Sequence, residues 1–195
     1  MPTREEHAAA VRRYKELTDL LYTDAMTWLE KSMNRKDQRD RRIHVHLVFA
    51  FFEGVLFSTA EYLLASRDVY GLKFAPAEEM ALTEMSYVVQ DGKVATRPQY
   101  AQLKDRTRLI LHAVGRISPT PLKIDYSGVG WAAFQDSIKM RNRITHPKDA
   151  AACAISDAEM STLWTGEGWF LDAHTEFYRV TQEVEKHFDD GSPPG

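Results

Sequence analysis

Three polar residues near position 140 have side chains that could act together in catalysis: Arg141, Asn142 and His146. An arginine can hold the oxygens of a phosphate through paired donors and stabilise negative charge that builds up during a reaction. A histidine can take up or release a proton near neutral pH. Asn142 and His146 are four residues apart, so on a helix they share a face, and the amide could orient the imidazole. From the residues alone, the trio is either a small catalytic device or a basic cap at the C-terminus of a helix.

The spacing of Arg141 and His146 is weak evidence by itself. With 15 arginines and seven histidines in 195 residues, chance gives about 0.5 pairs at any one gap. The chain has two more pairs with this gap: Arg39 with His44, and Arg41 with His46. Only the pair Arg141 and His146 has an asparagine directly after its arginine and a proline, Pro147, directly after its histidine. Residues before proline avoid helical angles, so His146 should mark a helix end. We interpret the other two pairs as hinge and packing residues.

The elements that must position this trio are predicted to be helices. Apolar residues recur at steps of three and four along most of the chain, and no stretch alternates between apolar and polar residues. The predicted helices cover approximately residues 3–33, 43–66, 76–90, 99–117, 127–146 and 156–188, the last one loosened at Gly166 and Gly168. The sequence therefore predicts an all-α bundle of about five to six helices with a long N-terminal helical hairpin. Residues 1–190 are expected to form a single domain, and residues 191–195, GSPPG, a disordered tail.

On helix 127–146 the predicted packing stripe consists of Trp131, Phe134 and Ile138. Continuing the stripe by three or four residues reaches Arg141 or Asn142. The stripe thus turns polar beside the core. An arginine there needs a partner, because burying an unpaired charge lowers the stability of the fold by roughly several kcal/mol.

The composition is ordinary for a soluble globular domain: 44% of residues are hydrophobic and 27% are charged. A net charge of −3 gives no global attraction to nucleic acid, so such binding would need a local patch. The single cysteine, Cys153, excludes an intrachain disulfide framework and a multi-cysteine zinc site. A charged N-terminal stretch argues against a signal peptide. We therefore expect a cytoplasmic protein.

The apolar stretch 47–64 is interrupted by Glu53 and Glu61 and predicts a buried helix, not a membrane span. A second feature of this helix, the pair His44 and His46, could suggest a metal site. On a helix these two side chains point in different directions, so they cannot bind one ion as neighbours. We expect no metal and no cofactor.

The stretch Met140-Arg141-Asn142-Arg143-Ile144-Thr145-His146-Pro147 resembles the R-x4-6-H motif of HEPN domains. That family is an all-α bundle with the motif near the end of a late helix, and the compatible helical layout here covers roughly residues 40 to 190. The resemblance implies that Arg141, Asn142 and His146 are the catalytic residues. The long first helix is not a feature that the core family requires.

The resemblance implies a metal-independent endoribonuclease that cleaves RNA by attack of the 2′-hydroxyl, acting as a toxin or defence effector. Such proteins work as homodimers that bring two motifs into one cleft. One histidine cannot easily serve as base and acid at once, which gives a chemical reason for the pairing. An antitoxin or regulatory protein is a further possible partner. The alternative is a non-catalytic helical binding or regulatory module with the same scaffold, in which the trio is a basic helix end satisfied by carbonyls and solvent.

Members of this family often carry a polar or acidic residue on an early helix that faces the motif. Glu53 is the best-placed match here, and it lies seven residues after His46, on the same helix face. Glu61 and Glu84 remain alternatives. The basic residues expected to contact RNA around the motif are Lys139, Arg143 and Lys148.

Overall fold

A computed structural model describes residues 4–35, 37–67, 73–118 and 120–189, and the predicted 191–195 tail lies outside these residues. The described chain is mainly α-helical, which confirms the predicted fold class. The six α-helices of this part are α1 Arg4–Arg35, α2 Gln38–Ser66, α3 Pro76–Leu82, α4 Leu103–Ile117, α5 Val129–Thr145 and α6 Asp157–Asp189. The other elements are strands β1 Met85–Gln90 and β2 Lys93–Pro98 and a short 3-10 helix, Ala151–Cys153.

The predicted helix 76–90 is wrong in its second half. It ends at Leu82, and the chain then forms an antiparallel hairpin in which Val89 pairs with Val94. Asp91 and Gly92 both have positive φ, 52° and 71°, which a tight two-residue hairpin turn requires and which Gly adopts without strain. An Asp-Gly pair between two valine-containing segments favours a hairpin, and this preference outweighs the helix-compatible spacing before it.

The chain divides into two compact units. One unit contains the described residues of 1–14, 56–121 and 179–195, including α3, the hairpin and α4. In this unit Glu84 pairs with the buried Arg106 at 2.7 Å. The other unit contains residues 15–55 and 122–178 and carries the whole of α5. The three long helices, α1, α2 and α6, each contribute residues to both units.

The first two helices form the predicted N-terminal hairpin. In the unit of residues 15–55 and 122–178, the rings of Tyr22 and Phe51 lie 5.7 Å apart. Gly54 packs so closely on Leu21 that a Cβ at this position would collide with it. In the other unit, the rings of His7 and Tyr62 lie 5.5 Å apart. Low-numbered residues of α1 thus pair with high-numbered residues of α2, as expected of antiparallel helices.

Helix α2 is the most apolar helix of the described chain. It is long and apolar enough to cross a membrane, with a mean hydropathy of 1.6 over its most apolar 18 residues, but 61% of that window is buried inside the protein. Phe49, Phe51 and Phe52 are each 1% exposed or less. This burial is the pattern of a core helix.

Helices α5 and α6 pack through an aromatic cluster and two close approaches. Phe134 of α5 stacks on Phe170 of α6 at 5.9 Å, and Phe52 of α2 lies 4.3 Å from the same ring. A Cβ on Gly166 would lie 2.8 Å from the backbone of Phe134. The prediction that α6 loosens at Gly166 and Gly168 is wrong, because the helix is continuous there and Gly166 serves close packing.

Candidate active site

Helix α5 carries the trio and begins after a turn closed by Asp125. The Asp125 carboxylate accepts hydrogen bonds from the backbone N–H groups of Ser127 and Gly128, at 2.7 and 3.1 Å. The indole of Trp169 donates to the Asp125 carbonyl at 2.8 Å, which attaches this turn to α6. The helix therefore starts at Val129, slightly later than the predicted start at residue 126 or 127.

The buried face of α5 differs from the predicted stripe after its second member. Trp131 and Phe134 are buried as expected, but the stripe continues through Ser137, Met140 and Ile144, whereas Ile138 is only half-buried. Arg141 therefore lies at the edge of the packing face, with 30% of its side chain exposed. Its charge loses less hydration than that of a core arginine would, and solvent and ligands can reach it.

Arg141 is held by two neighbours. One terminal nitrogen, Nη2, donates to Oε1 of Glu53 at 2.7 Å, and the other, Nη1, donates to the side-chain oxygen of Asn142 at 3.2 Å. Its guanidinium carbon lies 5.8 Å from the ring centre of Phe49. Glu53 is thus the carboxylate that meets Arg141, while Glu84 pairs elsewhere and Glu61 is exposed.

His146 caps the C-terminus of α5. Its backbone N–H donates to the Asn142 carbonyl at 3.0 Å, and its backbone angles, φ −125° and ψ 61°, are not helical, as expected before Pro147. The imidazole is exposed and has no hydrogen-bond partner among the described residues. The Asn142 side chain contacts Arg141 and not His146, so in this structure it orients the arginine.

The segment that follows His146 is attached to α2 by three side chains. Gln38 exchanges two hydrogen bonds with the backbone of Ile155, at 2.8 and 2.9 Å. Arg41, which is buried, donates to the Ile155 carbonyl at 2.7 Å and pairs with Asp157. Arg42 donates to the Cys153 carbonyl at 3.3 Å. These contacts fix the direction in which the chain leaves His146.

The start of α6 is also closely tied to the site. Ser156 and Glu159 form a reciprocal cap, in which each side chain accepts a hydrogen bond from the other residue's backbone N–H. Arg143 pairs with Glu159 at 2.5 Å and donates to the carbonyls of Ala152 and Ala154. Burial opposes but does not prevent a lowered pKa of Glu159, because Ser156 and Arg143 favour its carboxylate form.

The three basic residues predicted to contact RNA differ in availability. Arg143 is occupied by Glu159 and backbone carbonyls, so its role here is to hold the segment after His146. Lys139 pairs with Asp136 at 2.8 Å, but 78% of its side chain is exposed, so this pair is easily exchanged. Lys148 is exposed and has no ion pair within the described ranges. Lys148 and Lys139 therefore suit an anionic ligand better than Arg143 does.

The two histidines of α2 have opposite surroundings. His44 is fully buried, and burial lowers its pKa to about 4. His46 is exposed, and its pKa is lowered first by partial burial and then by the positive charges of Arg141 and Arg42. The interpretation of both as hinge and packing residues fits the burial of His44, whereas His46 is exposed and lies close enough to Arg141 for that charge to lower its pKa. The sequence signal was the seven-residue spacing from His46 to Glu53, which places both on one face.

The candidate site offers cations and imidazoles in place of a metal-binding cluster. In the described part of the chain, no three His, Cys, Asp or Glu side chains are placed to hold one metal ion.

Comparisons with protein-family models, curated proteins and solved structures return no match.

Proposed function

We propose that this protein is a metal-independent endoribonuclease of the HEPN type, in which Arg141 binds the scissile phosphate and His146 transfers a proton. The observation that carries the proposal is the end of α5. There an accessible arginine, fixed by Glu53 and Asn142, lies within one and a half turns of an exposed imidazole that has no internal partner in the described residues.

The residue types suit cleavage of RNA through its own 2′-hydroxyl. The 2′-oxygen attacks phosphorus, the bond from phosphorus to the 5′-oxygen breaks, and the products carry a 2′,3′-cyclic phosphate and a 5′-hydroxyl. One proton leaves the 2′-hydroxyl and one is given to the 5′-oxygen, so no outside reactant is needed. Arg141 stabilises the negative charge on the phosphoryl oxygens, and His146 transfers one of the two protons.

The test of this function is incubation of the purified protein with total RNA in EDTA. The wild-type protein should cleave RNA to products that end in cyclic phosphate, and His146→Ala and Arg141→Ala should each lower the rate by about 100-fold or more. Exposed residues outside the site provide matched controls: His112→Ala on α4 and Arg97→Ala on β2 should retain wild-type activity. Equal activity of His146→Ala and wild type would exclude this function.

A non-catalytic helical module is the second candidate, and one observation favours it. Both terminal nitrogens of Arg141 already have partners inside the chain, as in an arginine whose role is purely structural. This reading requires that wild-type protein leave RNA intact and that Arg141→Ala alter stability only.

The biological setting is also proposed from the resemblance alone. We propose a cytoplasmic toxin or defence effector that acts as a homodimer, with RNA as substrate and an antitoxin or regulatory protein as a further partner. Light scattering measures the homodimer directly, and its interface should adjoin residues 141–147.

A further inference from the structure

One face of α2 is directed at the end of α5. Arg42, His46, Phe49 and Glu53 follow each other at steps of four, three and four residues, so their side chains lie within a narrow sector of the helix. The contacts of three of these four side chains show that this face of α2 is directed at the end of α5. Glu53 pairs with Arg141, the ring of Phe49 lies under the same guanidinium, and Arg42 binds the Cys153 carbonyl.

These contacts also show that α2 and α5 run in opposite directions. Phe52 lies 5.5 Å from Phe134, near the start of α5, whereas Glu53 and Phe49 meet Arg141 in its last turns. Arg42, further towards the start of α2, meets Cys153 beyond the end of α5. His46 lies between Arg42 and Phe49 on α2. Because Phe49 meets Arg141 and Arg42 meets Cys153, His46 lies beside the part of the chain between those two partners, which includes His146 at the end of α5.

We propose that His46 is the second proton-transfer group of this site, taking the proton from the 2′-hydroxyl while His146 of the same chain donates one to the 5′-oxygen. This inference rests on the proposed ribonuclease function and adds to it a catalytic residue outside the R-x4-6-H motif. It also places both imidazoles in one chain, so a homodimer is not needed to supply the second one.

The charges that face His46 favour the role of base. Arg42 and Glu53 lie on its own helix, and the charge of Arg141, which pairs with Glu53, acts on it from α5. Partial burial and the charges of Arg141 and Arg42 keep the pKa of His46 below its usual value. A larger fraction of neutral imidazole is therefore present at neutral pH to accept a proton. Because the ring is exposed, an RNA backbone bound by Arg141 can reach it.

The two roles can be separated by changing the leaving group. An RNA oligonucleotide containing a cleavage site mapped in total RNA is made with either oxygen or sulfur at the 5′ position of that site. A thiolate leaves without a proton, so only the oxygen substrate needs a general acid. His146→Ala should be slowed about 100-fold or more on the oxygen substrate and less than about tenfold on the sulfur substrate. His46→Ala should be slowed about 100-fold or more on both.

The controls distinguish this inference from the function on which it rests. If wild-type protein cleaves neither substrate, the ribonuclease function itself fails. If wild type cleaves both and His46→Ala stays within about threefold of it, the function stands and the role of His46 is overturned. Sulfur rescue of His46→Ala would make it the acid and would also overturn the assignment. His112→Ala is the matched histidine control, and circular dichroism verifies that each variant is folded.

A mixing experiment tests whether both histidines act in one chain. His46→Ala and His146→Ala, each inactive, are co-denatured, refolded together and assayed on the oxygen substrate. No mixed assembly then contains a chain with both histidines, so activity should remain at the level of the separate variants. Recovery above about a tenth of wild-type activity would show that the two imidazoles come from different chains and would overturn the proposal.

Discussion

Arg141 and Glu53 form an ion pair at 2.7 Å that is only half-buried, with 30% and 42% of their side chains exposed. Water screens such a pair, and exposed pairs contribute typically about 0 to 1 kcal/mol to stability. The pair is therefore better suited to fixing the direction of the guanidinium than to stabilising the fold. The apolar stripe predicted an arginine beside the core, whereas Arg141 lies at the edge of the packing face and is partly exposed.

Loss of the Glu53 carboxylate should affect cleavage more than stability. We expect Glu53→Ala to lower the free energy of unfolding by less than about 1 kcal/mol, with a similarly small coupling to Arg141→Ala in a double-mutant cycle. RNA cleavage should fall about tenfold or more, because an unanchored arginine is less well placed to stabilise the phosphate. Urea denaturation and cleavage rates measure the two effects.

Glu79→Ala is the matched control for this prediction. Glu79 forms a comparable half-exposed pair with Arg67 at 2.9 Å, and it is not part of the candidate site. Its loss should have a similarly small effect on stability and none on cleavage. A coupling between Glu53 and Arg141 of several kcal/mol, roughly, would show that the pair is buried in solution, contrary to its exposure here.

Sequence reasoning singled out Arg141, Asn142 and Glu53, which the structure brings into contact, but it paired Asn142 with His146 and did not connect His46 with Arg141. Helical spacing shows which residues share a face, yet it does not choose between partners on that face. Asn142 can reach either Arg141 or His146, and its contact with Arg141 is settled by side-chain rotamers. The proximity of His46 to Arg141 was missed because it depends on α2 packing against the end of α5, a long-range contact that local periodicity does not contain.

At the scale of the elements, Gly166 allows α5 and α6 to approach closely. A Cβ at this position would lie 2.8 Å from both the backbone N and Cα of Phe134, and backbone cannot move as a side-chain end can. We expect Gly166→Ala to lower the free energy of unfolding by about 1 to 3 kcal/mol, the usual result of overpacking. Urea denaturation measures the change.

Gly168 provides a matched control in the same helix. It lies two residues further on, and a Cβ there would have no heavy atom within 4 Å. Gly168→Ala should therefore stabilise the protein by about 0.5 to 1 kcal/mol, because alanine is the better helix former. If both variants changed stability in the same direction, the close approach at Gly166 would not be the cause.

The elements that sequence predicted best are those whose own residues determine them. Helix α6 begins where Ser156 and Glu159 cap each other, a signal contained within four residues. The hairpin was missed because residues 85–90 follow a helix start at Pro76 without a break in apolar spacing. The predicted helix 76–90 ends directly before Asp91-Gly92, although this pair also suits a hairpin turn between segments that contain β-branched residues.

At the scale of the whole molecule, buried ionisable groups link folding to pH. Glu167 on α6 is 4% exposed, its Oε1 has no hydrogen-bond partner among the described residues, and burial raises its pKa to about 7. His44 and His174 respond in the opposite sense, because burial lowers the pKa of each. The histidines therefore reduce stability as the pH falls below about 6.5, where the unfolded chain gains their protons.

Glu167 should reduce stability as the pH rises. The unfolded chain releases this proton near pH 4.5, whereas the folded chain retains it up to about pH 7, so stability falls between these values and is then constant. The total loss is about 3 kcal/mol.

Glu167→Gln removes the titration, so its free energy of unfolding relative to wild type should increase by about this amount from pH 4.5 to pH 7.5. The histidines are common to both proteins and cancel in the difference. A constant difference for Glu167→Gln would mean that Glu167 is hydrated in solution.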